Sequence, residues 1–195
     1  MSPRILVIAG SLRAGSHNRR LAAEATRLLA QRTTDVSVLD LADHALPIFD
    51  ADMEAADGLP AAAIQLAERI EAQDGLLLVS PEYNASVSPL LKNAIDWASR
   101  VRKVKGRPVQ PFKDLVVGLA AASPGRLGGL RGLQALRAVC QSLGAEVLTA
   151  QVTLADAGNA FDEDDHLTDD HARLSLERLV EALHEHSQAL GRHTP

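Results

Sequence analysis

Runs of consecutive apolar residues punctuate a chain whose remaining apolar positions recur at helical spacing. Ile5-Leu6-Val7-Ile8-Ala9, Gly75-Leu76-Leu77-Leu78-Val79 and Leu115-Val116-Val117-Gly118-Leu119-Ala120-Ala121 are the clearest of these runs. A short segment that is apolar at successive positions reads as a strand buried on both faces. Val36, Val38 and Leu39 give a shorter strand, and Glu146 to Leu154 a last one built on Val147, Leu148, Val152 and Leu154. Between the strands lie amphipathic helices. Leu21, Ala25, Leu28 and Leu29 mark one; Pro60 to Ala72, with Ile64, Leu66, Ala67 and Ile70, marks the next. Ser88 caps a third, with Pro89 at its first position and Leu90, Leu91, Ala94, Ile95 and Ala98 along one side. Leu133, Leu136, Cys140 and Leu143 mark a fourth, ended by Gly144, and a last helix begins near Thr168 and runs through Leu176, Leu179, Val180 and Leu183. Asp40 to Gly58 and the basic Arg100 to Phe112 read as irregular loops. Strand and helix alternate throughout, which implies a five-stranded parallel sheet with right-handed crossovers and helices on both faces, an α/β three-layer sandwich.

Composition narrows the class without changing that picture. At 195 residues, 46% hydrophobic and 23% charged, the chain suits one globular domain spanning residues 1–195. A net charge of −5 gives no basic field, so nucleic acid is not an expected partner. One cysteine, Cys140, excludes an intrachain disulfide and falls in a helical apolar pattern, as a small core residue would. No stretch is long and apolar enough for a membrane helix, and a strand follows almost directly on the N-terminus, so a cytoplasmic protein is expected. No metal is expected either. The acidic Phe161 to His166 stretch lacks the spacing of a calcium loop, and His184 and His186 point to different helix faces.

Candidate chemistry lies in three polar turns that follow three apolar strands: Gly10 to Asn18, Pro81 to Ser86 and Ser123 to Gly129. Ligands of an open parallel sheet bind beyond the carboxyl ends of its strands, so these turns converge on one crevice. The first turn opens onto a helix, whose free N–H groups and dipole favour an anion. It lacks both Gly-Lys-Ser/Thr and G-x-G-x-x-G, the signatures of triphosphate and pyrophosphate loops. It offers instead the hydroxyls of Ser11 and Ser16, the amide of Asn18 and the guanidinium of Arg13, with Arg19 beside them. Such a set suits a terminal phosphate monoester, and FMN is the natural candidate. The alternative is that Ser16 is an ordinary helix cap and Arg13 and Arg19 are solvated. In the second turn Pro81 stiffens the backbone, Asn84 can read the edge of a flat heterocycle and Tyr83 can border it. The third supplies the Ser123 hydroxyl and glycines that leave room for a planar group.

These motifs, together with Leu91-Lys-Asn-Ala-Ile-Asp-Trp97-Ala-Ser-Arg, resemble the NAD(P)H-dependent FMN reductase family, which includes flavodoxin-like quinone, chromate and azo-compound reductases. The resemblance implies FMN held by Ser11, Arg13, Ser16, Asn18 and Arg19 at its phosphate and by Pro81, Glu82, Tyr83, Asn84, Ser86 and Ser123 around the isoalloxazine. It implies NADPH or NADH as co-substrate, a quinone, chromate, azo or free-flavin acceptor, ping-pong turnover, and no catalytic side chain. Arg100, Arg102, Arg107 and Arg126 lean toward NADPH, whose 2′-phosphate they would meet. It further implies a homodimer or homotetramer with flavin near the interface and the Trp97 helix facing a partner, the alternative for Trp97 being the core of its own subunit. Two rivals remain: an electron-carrier flavodoxin, disfavoured by the arginine in the phosphate loop, and a flavin-free regulatory domain.

Overall fold

The computed structural model describes residues 2–33 and 35–192. In chain order the elements are β1 Ile5–Ala9, α1 His17–Ala30, β2 Val36–Leu39, α2 Ala51–Asp57, α3 Ala61–Glu71, β3 Gly75–Val79, β4 Glu82–Tyr83, β5 Ser86–Val87, α4 Pro89–Arg100, β6 Lys103–Val104, β7 Arg107–Pro108, β8 Val116–Ala122, α5 Leu130–Ser142, β9 Glu146–Leu154 and α6 Asp170–Leu190. Five strands form a parallel sheet in the order β2-β1-β3-β8-β9, the flavodoxin-like arrangement. The chain builds outward from β1 to β2, then crosses back to β3 on the other side of β1. That reversal makes the carboxyl ends of β1 and β3 the switch point of the sheet.

Alternation along β1 divides the core. Leu6 and Ile8 face the layer of α3, α4 and α5, with Leu66, Ile70, Leu91, Ile95, Leu133 and Leu136. Ile5 and Val7 face α1 and α6, with Leu21, Leu29, Leu176 and Leu183. Leu21, Ala25 and Leu29 recur at helical spacing and are fully buried, so they fix α1, and the turn that precedes it, against the sheet. Truncating one of these leucines to alanine would cost ~2–5 kcal/mol.

Two segments read as irregular contain structure. Within 40–58, a 3-10 turn covers Leu41–Asp43, and Asp50 caps α2 by accepting from Asp52 N and Met53 N. No residue of α2 is buried, so the helix has no apolar periodicity to announce it. Within 100–112, β6 and β7 form a hairpin whose two turn residues, Lys105 and Gly106, have φ of 49° and 81°. Both values suit a primed two-residue turn, which matches the twist of a hairpin. Helix α6 starts at Asp170, two residues beyond the expected position, with Asp169 accepting from Ala172 N as its cap. Pro60 precedes α3 as its N-cap residue. Among the described residues no helix is long and apolar enough to cross a membrane.

Candidate functional site

The first turn continues the ladder of the sheet before leaving it. Gly10 N donates to Val79 O at 2.9 Å, and Gly10 O accepts from Ser88 Oγ at 2.8 Å, so the turns after β1 and β3 are tied together. A Cβ at Gly10 would lie 3.1 Å from both Leu91 Cβ and Ser88 Oγ, which explains glycine where α4 approaches the strand end. The loop then closes through Arg13 N to Ser11 Oγ at 3.3 Å and Ser16 N to Arg13 O at 3.2 Å. Ser16 occupies the N-cap of α1, yet its side chain makes no cap hydrogen bond. The first-turn N–H groups of α1 therefore lack the usual side-chain acceptor.

Charge at this place also favours an anion. The Arg13 side chain is exposed, and its Nη2 donates to Gly15 O at 3.2 Å. His17, the first residue of α1, has a buried Nδ1 with no hydrogen-bond partner. Its pKa lies below the ordinary histidine value because burial disfavours the charged ring and Arg13 and Arg20 repel it. Uncapped N–H groups, an uncommitted serine hydroxyl and neighbouring guanidinium groups fit a phosphate without further adjustment.

Other expected phosphate ligands are committed elsewhere. Asn18 is buried, donating Nδ2–H to Ala122 O at 2.8 Å and accepting from Ala122 N at 2.9 Å, so it brackets α1 to the end of β8. Arg19 turns toward β2 and pairs with Asp40 at 2.7 Å. The Asp40 carboxyl is held below its ordinary pKa first by the hydrogen bond from Ala42 N and also by Arg19, against the opposing effect of burial. Ser11 and Arg13 bond only within the loop, and Ser16 makes no cap hydrogen bond, so these three expected donors are not tied to another element among the described residues.

The second turn is a hairpin. β4 and β5 pair with Tyr83 opposite Ser86, and the turn residues Asn84 and Ala85 have φ of 50° and 62°. Alanine in this left-handed region costs ~1–2 kcal/mol, so neighbouring contacts must hold the turn in shape. Pro81 is buried at its base, while Tyr83, Asn84 and Ser86 are exposed. The Glu82 side chain points into α5, where Oε1 accepts from Arg131 Nε at 2.8 Å and Nη2 at 2.5 Å, and Oε2 accepts from Gly132 N at 3.1 Å. Burial raises the Glu82 pKa, but those hydrogen bonds outweigh it and hold the carboxyl below the ordinary glutamate value.

The third turn begins at Ser123, whose N–H donates to Leu154 O at 2.9 Å and whose Oγ accepts from Gly125 N at 3.1 Å. Gly128 and Gly129 have φ of 58° and 90°, and a Cβ on Gly128 would sit 2.7 Å from the Thr153 carbonyl carbon. The Asn18 bracket to Ala122 therefore places the third turn directly beside the first.

Trp97 belongs to the core of its own chain. It is fully buried, donates Nε1–H to Pro47 O at 2.8 Å and meets Phe49 edge-on with ring centroids 5.0 Å apart. Asn93 ties the same loop by donating to Pro47 O and accepting from Phe49 N, each at 2.8 Å. Arg100 pairs with Glu54 at 2.9 Å and lies over the Phe49 ring, so it is engaged and not free for a ligand phosphate. A recess of 200 Å³ lined by Leu12, Leu41, Leu46 and Leu90 opens beside the turn after β1. Cys140 is buried, with its thiol pushed up to about 12 by desolvation.

Sequence reasoning missed Gly132, Arg131 and His17. The first two lie about fifty positions from Glu82, beyond any local pattern; His17 carried one readable signal, its place inside the loop between Ser16 and Asn18.

The chain is similar to known proteins over most of its length. Residues 3–159 match the family described as NADPH-dependent FMN reductase. An NAD(P)H-dependent FMN reductase of Pseudomonas aeruginosa is 38% identical over 182 residues, covering 92% of both chains. A quinone reductase of Escherichia coli is 38% identical over 146 residues, covering 74% of this chain and 73% of its own. Among solved structures, the flavoenzyme NAD(P)H:(acceptor) oxidoreductase of Paracoccus denitrificans superposes with a TM-score of 0.81 at 26% identity, over 97% of this chain and 99% of its own.

Proposed function

The chain belongs to the NADPH-dependent FMN reductase family, and from that premise we propose that it binds FMN at the switch point and reduces a planar acceptor such as a quinone at the expense of NAD(P)H. The observation that carries the reading is the uncapped N-terminus of α1, with the Ser16 hydroxyl uncommitted and Arg13 exposed beside it. FMN, when bound, supplies the redox chemistry by accepting a hydride from the nicotinamide and passing the electrons on.

The residues bind and orient. Ser11, Arg13 and Ser16, with the first-turn N–H groups of α1, would hold the phosphate; Asn18 would fix the loop that carries them. The backbone of Pro81 to Ala85, the side chain of Asn84 and the Ser123 turn would border the ring. Tyr83 and Leu127, half-exposed, and Arg126, also exposed, stand at the open side, where nicotinamide and acceptor would take turns. One stacking place used alternately requires ping-pong kinetics. No side chain needs to act as an acid or base, because positioning and electrostatics are the protein's share of flavin chemistry. The exposed Leu12, which lines the apolar recess, and Ile48, two residues from its Leu46, support a second copy of the chain packing there.

Arg13→Ala tests the reading. Loss of one charge-assisted hydrogen bond, ~1.5–3 kcal/mol, lowers FMN affinity roughly ten- to a hundredfold in a fluorescence titration. An unchanged titration would remove Arg13 from the site. Parallel initial-rate lines with NADPH and a quinone are expected; intersecting lines would exclude alternate use of one place. An electron carrier would keep its flavin oxidised with NADPH until a partner protein is added.

A further inference from the structure

We infer that Glu82 is a positioning residue that acts through the hairpin, holding the flavin-edge turn against the N-terminus of α5 without itself contacting the ring. The inference rests on the FMN reading above. Its geometry is independent of any ligand. Glu82 carries three hydrogen bonds from α5 on its two carboxylate oxygens, from Arg131 Nε, Arg131 Nη2 and Gly132 N. Its side chain is 8% exposed, while that of Arg131 is 55% exposed. The carboxylate is therefore the fixed, desolvated member of the pair, and its oxygens already have donors.

Two further features put the function of this contact in the turn. Gly132 packs so close to the hairpin that a Cβ there would lie 3.1 Å from Glu82 Cα and 3.2 Å from Ser86 O. The backbone of the hairpin thus rests directly on α5. The turn it supports holds Ala85 at φ 62°, a conformation a two-residue hairpin of this size would not keep unaided. Glu82 follows Pro81 and precedes the turn, so releasing its carboxylate frees the segment that faces the flavin edge. The loop after β1 keeps a tie of its own outside the hairpin, through Asn18 to Ala122.

Titration with riboflavin, which has the ring and no phosphate, separates this role from phosphate binding. Glu82→Ala should weaken riboflavin and FMN by the same factor, roughly ten- to a hundredfold. Glu82→Gln, which keeps one acceptor oxygen for Arg131 but sets an NH2 against the Gly132 N–H, should recover only part of both and by the same fraction. Arg13→Ala should weaken FMN and leave riboflavin unchanged. Gly132→Ala provides a second route: with Glu82 intact, its new methyl displaces the hairpin, so riboflavin affinity falls even if Glu82→Ala fails to fold. A Glu82→Ala protein of native circular dichroism that binds riboflavin as tightly as the wild type overturns the clamp, as does one that loses FMN affinity alone. A wild type that takes up neither flavin overturns the FMN reading and the clamp with it.

Discussion

Asn18→Ala is the perturbation for which the structure gives the clearest magnitude. The side chain is 4% exposed and makes two hydrogen bonds to one residue 104 positions away, Ala122 N and Ala122 O. Each neutral hydrogen bond contributes about 1 kcal/mol net, but its removal leaves a buried backbone group unpaired at ~1–3 kcal/mol. Two orphaned groups put the total at about 2–6 kcal/mol. In a chain of this size each kcal/mol lowers Tm by ~2–4 °C. Equilibrium urea unfolding of the apoprotein measures the loss directly, as a lower midpoint at unchanged slope. Asn18→Asp supplies an internal control. Its carboxylate still accepts from Ala122 N but faces Ala122 O with negative charge, so its folded-state pKa rises above the unfolded value. The folded state then binds the extra proton, and this variant becomes more stable, relative to wild type, as pH falls through that range. A midpoint for Asn18→Ala that corresponds to less than about 0.5 kcal/mol would refute the bracket.

Three further outcomes follow from contacts elsewhere. Trp97→Phe keeps a ring against Phe49 but removes one of the two hydrogen bonds on Pro47 O, the other coming from Asn93, and leaves a cavity in the core, and should cost ~1–3 kcal/mol in the same unfolding assay. Arg192 donates to the backbone carbonyls of Ile70, Gln73, Gln110, Pro111 and Lys113, so Arg192→Ala should destabilise by several kcal/mol although it lies near the chain terminus. The folded-state pKa of His17 is below its unfolded value, so apoprotein stability should fall as pH drops below about 6.5 and level off below the folded pKa. His17→Gln should remove that part of the pH profile.

The sheet was legible because strands buried on both faces carry their apolar residues consecutively, and Ile5 to Ala9 or Gly75 to Val79 need no other context. The caps were legible for a similar reason: Ser88 with Pro89, and Gly144 at φ 82°, are local devices. Helix α2 was not, since a helix with no buried residue leaves no stripe. Lys105-Gly106 turned a basic loop into a hairpin through backbone geometry, which charge conceals. At the site, donors were legible as residue types but their partners were not. Asn18 read as a ligand because a short polar side chain in a turn suggests one, and Glu82 because the family resemblance implied it; the partners of their side chains, Ala122 for the first and Arg131 with Gly132 for the second, are brought close only by the packed fold. Trp97 was ambiguous between interface and core until Pro47 and Phe49 folded over it.

Anaerobic mixing of the FMN-loaded protein with NADPH, with no partner protein present, tests the central claim most directly. The account predicts that the visible flavin band bleaches stoichiometrically and returns when a quinone is added. A band that stays unchanged at saturating NADPH and NADH, in a protein that holds FMN tightly, would contradict it.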